Sequence, residues 1–244
     1  MKDITVIVPL KKYDDKIITA LNSVDSENEV IFVAPKDVLD KVKEYYKDKF
    51  EYIEEDSDYF TQVNKAVLTC CTKYFSVLGL YDVYLDKWSK IMGKTKKTET
   101  SSVILPLNEY VELDGDKRKF LAFGNEIAWD AAFISNDDET QEQNPLGYLT
   151  ENELKIYQEF NGMGGIIKTE DFISVGMFKP EFKLLAWFEF FMRLVRSNKK
   201  IYVIPRVLYS HTIYSLDNEE PVEIQYYEKP TKEEFDEFMK KIIG

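Results

Sequence analysis

The sequence predicts an α/β fold in which a mixed, mainly parallel sheet is flanked by helices. Two observations predict it. Short apolar, β-branched runs suit strands buried on both faces, and between them lie segments with apolar residues at helical spacing. Strand–helix alternation of this kind leads to parallel pairing through right-handed crossovers.

Taken in order, Ile4–Pro9 (ITVIVP) is the first strand, and Ile17, Leu21 and Val24 place a helix over Asp15–Val24. Glu29–Ala34 (EVIFVA) is the second strand. Pro35 then opens a helix with Val38, Val42 and Tyr45 on one face, as proline does in a first turn. Glu51–Ile53 is a short third strand. Phe60, Val63, Val67 and Cys70 mark the next helix, and Phe75–Leu80 the fourth strand. Ligands of such sheets bind beyond the carboxyl ends of the strands, here Pro9–Lys12, Ala34–Lys36 and Gly79–Asp82.

The middle of the chain changes character. Gly93–Thr100 is a polar, basic loop containing a Lys-Thr-Lys-Lys run, and Ser102–Leu107 is a strand. Tyr110–Leu113 and Lys119–Phe123 flank an Asp114-Gly115 hairpin turn. Asn136–Asn144 reads as a loop. Thr150 and Glu153 form a capping box that starts a helix through Phe160. Gly162–Gly165 is a turn, Ile166–Ile167 a short strand, and Pro180–Asn198 contains a helix dense in aromatics. Ile201–Pro205 is a strand with Val207–His211 beside it. A second capping box, Thr231 with Glu234, starts a terminal helix carrying Phe235, Phe238, Met239 and Ile242 on one face.

At 244 residues the chain is one large domain, or one domain with a small appendage. With 44% hydrophobic and 31% charged residues it is globular, and an aromatic share of 14% supports a bulky core. A formal charge of −12 argues against a nucleic-acid partner, which calls for a basic surface. The two cysteines, Cys70 and Cys71, are adjacent. They cannot staple distant segments and do not have metal-ligand spacing, which suits a reducing compartment. No targeting segment is visible. The apolar stretch Leu184–Val195 carries Glu189 and Arg193 and is too short to span a bilayer. A soluble, cytoplasmic protein is expected, or part of an assembly built inside a cell.

Four segments carry a resemblance. ITVIVPLKKYDDKIITALNSV, TQVNKAVLTCCTKYFSVLGLYD, GGIIKTEDFISVGMFKPEFKLLAWFEFFMRL and IYVIPRVLYSH resemble, in that order, a family-2-type glycosyltransferase with the GT-A fold, over roughly residues 3–215. The resemblance implies a GT-A domain over 1–215, with a donor-side half at 1–90, an acceptor-side half at 101–215, and a C-terminal extension at 216–244. FGNEIAWDAAF, with the helix after it, stands outside the common pattern and resembles bacteriophage-encoded members, which would make the virion a possible location.

The resemblance also implies three acidic stations. An acid after the second strand holds the donor's base or ribose, but the place reads Val33-Ala34-Pro35-Lys36-Asp37. An Asp-x-Asp motif after the fourth strand holds a divalent cation, Mg²⁺ or Mn²⁺, on the diphosphate. That place reads Gly79-Leu80-Tyr81-Asp82, with one carboxylate. A carboxylate base takes the acceptor's proton, yet the aligned positions are Ala186 and Trp187, with Glu189 left nearby. Transferred residue by residue, donor contacts fall to Pro9, Lys11, Asn64 and Asp82, metal contacts to Asp82 and His211, the acceptor cleft to Gly164, Gly165 and Trp187, and the base to Glu189.

Each has a plainer alternative: a helix cap for Asp82, a polar helix position for Asn64, an i,i+4 pair with Arg193 for Glu189, a hydrogen-bonded histidine for His211, core for Trp187, a plain turn for Gly164-Gly165 and a solvated loop for Lys11 and Lys12. With all three stations damaged, the expectation is a GT-A scaffold whose sugar transfer is lost or strongly impaired, without a metal cofactor, and with protein partners of an assembly. The alternative is an active enzyme using a nucleotide sugar through a non-standard site.

Overall fold

The structure, a computed structural model, describes residues 3–85, 87–94, 100–114, 117–124, 147–156, 162–213 and 230–244. The expected parallel block is present. Strands β1 (Ile4–Pro9), β2 (Glu29–Ala34), β3 (Glu51–Glu54) and β4 (Tyr74–Val77) lie in the order β3-β2-β1-β4, with every pairing parallel. All six residues of β1 are buried, and so are all of β2 after Glu29, which is why both read as unbroken apolar runs. Helices α1 (Ile17–Asn22), α2 (Lys36–Tyr46) and α3 (Tyr59–Val67) link these strands. Asp58 caps α3 by accepting from the Thr61 N–H at 3.0 Å.

Beyond β4 the sheet becomes mixed. Strand β9 (Ile166–Lys168) sits antiparallel between β4 and β6 (Val103–Asp114), with Ile167 opposite both Phe75 and Val103. Strand β10 (Ile201–Ile213) runs parallel to β6 along its length. Pro205 was expected to end that strand. Instead the pairing shifts register just past Ile204, which lies opposite Pro106, so both strands place a residue without an N–H where the ladder breaks. Strand β7 (Lys117–Gly124) forms the expected hairpin with β6, while β5 (Val83–Tyr84) and β8 (Tyr148–Leu149) pair antiparallel with β10.

The remaining described helices are α4 (Trp88–Lys94), α5 (Glu151–Ile156), α6 (Thr169–Ser174), α7 (Ala186–Arg196) and α8 (Lys232–Ile243). Gly93 and Lys94 end α4, whereas the rest of the basic run, the 136–144 stretch and the end of the 150–160 helix lie outside the described residues. Helix α7 buries Phe188, Phe190 and Phe191 almost completely. Phe190 packs edge-on against Phe172 and Phe178, and Trp187 against Phe178 at 4.5 Å. Burial of this kind stabilises by about 1.5–3 kcal/mol per large side chain. No helix among the described residues is long and apolar enough to cross a membrane.

Candidate functional site

The carboxyl ends of β1 to β4 meet at one edge of the sheet and are stitched together there. Past β1 the Leu10 N–H donates to Val33 O, and past β4 the Leu78 N–H donates to Ile7 O. From α3 the Gln62 amide donates to Leu10 O at 3.2 Å and to Glu55 O at 2.9 Å. The strand expected over Phe75–Leu80 leaves the sheet at Val77, and the chain turns at Gly79, whose carbonyl receives the Asp82 N–H at 3.2 Å.

Asp82 sits at the hub of a buried hydrogen-bond network. Its side chain turns into the protein and is only 3% exposed. Oδ2 accepts from the Tyr209 hydroxyl at 2.7 Å and lies 3.0 Å from His211 Nδ1, while Oδ1 accepts the Thr212 N–H at 2.9 Å. The Thr212 hydroxyl donates to Tyr81 O, and the Gly79 N–H donates to the Tyr209 hydroxyl. Burial alone would raise the Asp82 carboxyl. The His211 charge and hydrogen bond outweigh it, with help from Tyr209 and the Thr212 N–H, and hold the group below its ordinary range. Since an ionised carboxylate can only accept, Nδ1 of His211 carries the proton between them. Burial and the Asp82 charge push the Tyr209 hydroxyl well above its usual value.

The two residues expected to share a metal are thus brought together, but as a buried pair. Asp82 does not cap a helix, because β5 follows it directly. A hard cation needs several open oxygen ligands. Here the Asp82 carboxylate is buried, with two protein donors on Oδ2 and one on Oδ1, and no group of three or more His, Cys, Asp or Glu side chains that could hold a metal occurs among the described residues. These residues do not fit a divalent cation.

The other candidates are committed as well. The side chain of Asn64 brackets the Phe178 backbone, donating to its carbonyl at 2.9 Å and accepting its N–H at 3.0 Å. Pro9 is buried at the end of β1 opposite Val33. Lys11 reaches the exposed Asp56 at 3.6 Å. Gly164 has φ +70°, and its carbonyl accepts from the Trp88 indole at 2.6 Å. A Cβ there would lie 2.4 Å from the Tyr209 ring. The N–H of Gly165 closes the turn onto Gly162 O at 2.9 Å. Trp187 is core, packed so tightly that a Cβ on Gly162 would lie 2.2 Å from its ring. Glu189 takes two bonds from Arg193, at 2.8 and 2.6 Å, and lies 3.3 Å from Lys179. It lines an open groove of about 260 Å³ between α7 and α8.

Sequence reasoning missed Tyr209, which joins Asp82 to Gly79. The available signal was its place two residues before His211, on the same face of a strand. It also passed over the Asp14 side chain, which accepts from the Tyr81 hydroxyl and the Lys16 N–H, both at 2.9 Å, and so ties the loop after β1 to the loop after β4. An open cavity of about 660 Å³ remains beyond β2 and β3. Its carboxylates are Asp37, Asp40, Glu54, Glu55 and Asp56, set against Lys36 and Lys65.

A parallel β3-β2-β1-β4 block continued by β9, β6 and β10, with helices on its faces, defines a GT-A-like α/β protein. Solved structures of S. aureus TarS agree. The crystal structure of TarS 1–349 has a TM-score of 0.60 and 17% identity over 87% of this chain and 60% of that one. The same fragment in complex with UDP matches at 0.60 and 17%, covering 61% of it, and in complex with UDP-GlcNAc at 0.59 and 16%, covering 58%. The chain thus spans about three fifths of the fragment, and at this identity the likeness shows the fold alone. No protein-family model matches the chain, and no curated protein sequence matches it.

Proposed function

We propose that this chain is a GT-A-like protein in which metal-dependent sugar transfer is lost or strongly impaired, and whose scaffold serves a structural or interaction role, for instance as a component of a virion or another assembly. One observation carries the reading: Asp82, the carboxylate left at the metal station, is buried and accepts from Tyr209, His211 and Thr212 inside the protein. The base station supports it, since Ala186 and Trp187 are buried core and Glu189 is neutralised by Arg193. The virion role rests on the resemblance of FGNEIAWDAAF to bacteriophage-encoded members.

A second reading, an active enzyme with a non-standard site, is favoured by the open cavity beyond β2 and β3 and by the TarS structures that hold UDP and UDP-GlcNAc. The test is thermal melting with UDP, GDP and their sugars, with and without Mn²⁺ or Mg²⁺, together with an assay for donor hydrolysis. A ligand at 100 times its Kd adds about 2.7 kcal/mol of stability. The first reading expects no metal-dependent shift and no turnover. Saturable, Mn²⁺-dependent turnover would replace it with the second.

A further inference from the structure

Helix α8 packs against the 180–185 turn and α7 mainly through side chains that stay partly buried. Ile242 is its one buried residue, and Phe235 stays 38% exposed although it belongs to the apolar face. Phe238 meets Phe182 edge-on at 5.3 Å, and Lys183 Nζ reaches both Glu234 oxygens, at 3.1 and 3.2 Å. Arg196 caps the end of α8, donating to Ile242 O at 2.6 Å and Ile243 O at 3.2 Å, while Glu151 holds its guanidinium from α5. An open groove of about 260 Å³ runs along this seam, with Phe182 and Met192 on one side and Ile242 on the other. Ile242 joins the core, and Phe238, Met239 and Ile243 pack against it only partly buried, so α8 is docked at the edge of the core.

Lys183 holds φ +52° with ψ −129°, a positive-φ conformation that non-glycine residues adopt at a cost. It is also the residue that grips Glu234. Three residues on, α7 begins, and Trp187 in its first turn fills the space against Gly162. A strained turn therefore joins the docked helix to the start of α7.

We propose that α8 is a detachable strap. It undocks as a unit while the sheet stays folded, and its docked state holds the Lys183 turn and the start of α7 in place. Segments with few buried apolar contacts open at lower free energy than the core.

The test is hydrogen exchange of the full chain, read by mass spectrometry over a series of low urea concentrations. Amides of residues 235–243 should exchange at least ~100-fold faster than those of α7, with little urea dependence. Arg196→Lys, which removes the two-carbonyl cap, should speed α8 exchange about tenfold or more and also raise exchange over 182–187. Ile242→Ala should do the same through the apolar contact, should Arg196→Lys fold poorly. Exchange of α8 only through global unfolding, at the rate and urea dependence of α7, would overturn the strap. So would faster α8 exchange in both variants with 182–187 unchanged.

Discussion

Replacing Asp82 by alanine removes the acceptor for three donors at once: the Tyr209 hydroxyl, His211 Nδ1 and the Thr212 N–H. All of these residues are buried, so water does not take the place of the lost carboxylate. A buried donor left without its acceptor costs about 1–3 kcal/mol, so leaving these three unpaired costs about 3–5 kcal/mol. In a chain of this length each kcal/mol moves the melting temperature by about 2–4 °C, so a fall of about 6–20 °C is expected. Urea unfolding should show the same loss as a lower midpoint at unchanged slope. Asp56→Ala is the control. That carboxylate is 78% exposed and, among the described residues, pairs with Lys11 alone, and its loss should stay within about 0.5 kcal/mol. A metal ligand facing an open cleft behaves in the opposite way, since removing it relieves repulsion in the metal-free protein. An Asp82→Ala variant less than ~1 kcal/mol below the parent would refute the buried-lock reasoning.

Asp82 and Asp171 both lie below the ordinary carboxyl range, against the upward push of burial: His211 leads the opposing effects at Asp82, and Lys199 and Ser102 do so at Asp171. A depressed folded value means that their stabilisation is complete above the unfolded value of about 3.9 and is lost as pH falls through the lower folded values. Urea midpoints titrated downward should therefore drop below about pH 4, and drop less steeply in Asp82→Ala. Gly164→Ala combines a left-handed backbone with a Cβ placed 2.4 Å from the Tyr209 ring, and should cost about 1–3 kcal/mol or more by urea unfolding. An aromatic disulfide reagent should titrate one thiol in the native protein and two after denaturation. Cys71 is exposed, while burial pushes the Cys70 thiol up to about 12.

What could be read before folding depended on how local its cause was. Strands β1 and β2 were legible because burial on both faces writes an unbroken apolar run into the sequence. The Glu189–Arg193 pair was legible because i,i+4 spacing on a helix guarantees the encounter. Ile166–Ile167 could be read as a short strand, but not as the element between β4 and β6, because strand order is a property of the whole chain. The end expected at Pro205 misled for a similar reason, since the compensating Pro106 lies on another strand. At the site, Asp82 and His211 each stood out by position, but their meeting across 129 residues depends on how β10 docks over the turn after β4. Asn64 was read as a base contact or a polar helix position. Its two bonds to the Phe178 backbone depend on a chain crossing 114 residues away.

On the proposed reading, that dependence on distant partners also means that a metal station at Asp82 would not be one substitution from repair. Leu80→Asp would recreate the Asp-x-Asp spacing with Asp82. Yet Leu80 is 2% exposed within the apolar core, and Asp82 faces inward, held by β10. The new carboxylate would be buried without a partner, at a cost of several kcal/mol. It could find oxygen ligands in common with Asp82 only if Tyr209 and Thr212 let go. A chain with a typical stability of about 5–15 kcal/mol has little room for both losses. Leu80→Asp is therefore expected to melt far below the parent, or not to fold, and to show no rise in melting temperature with Mn²⁺. A variant that folds within about 1 kcal/mol of the parent and gains stability saturably with Mn²⁺ would mean that the turn after β4 swings outward easily, and that its buried bonds do not hold the station closed.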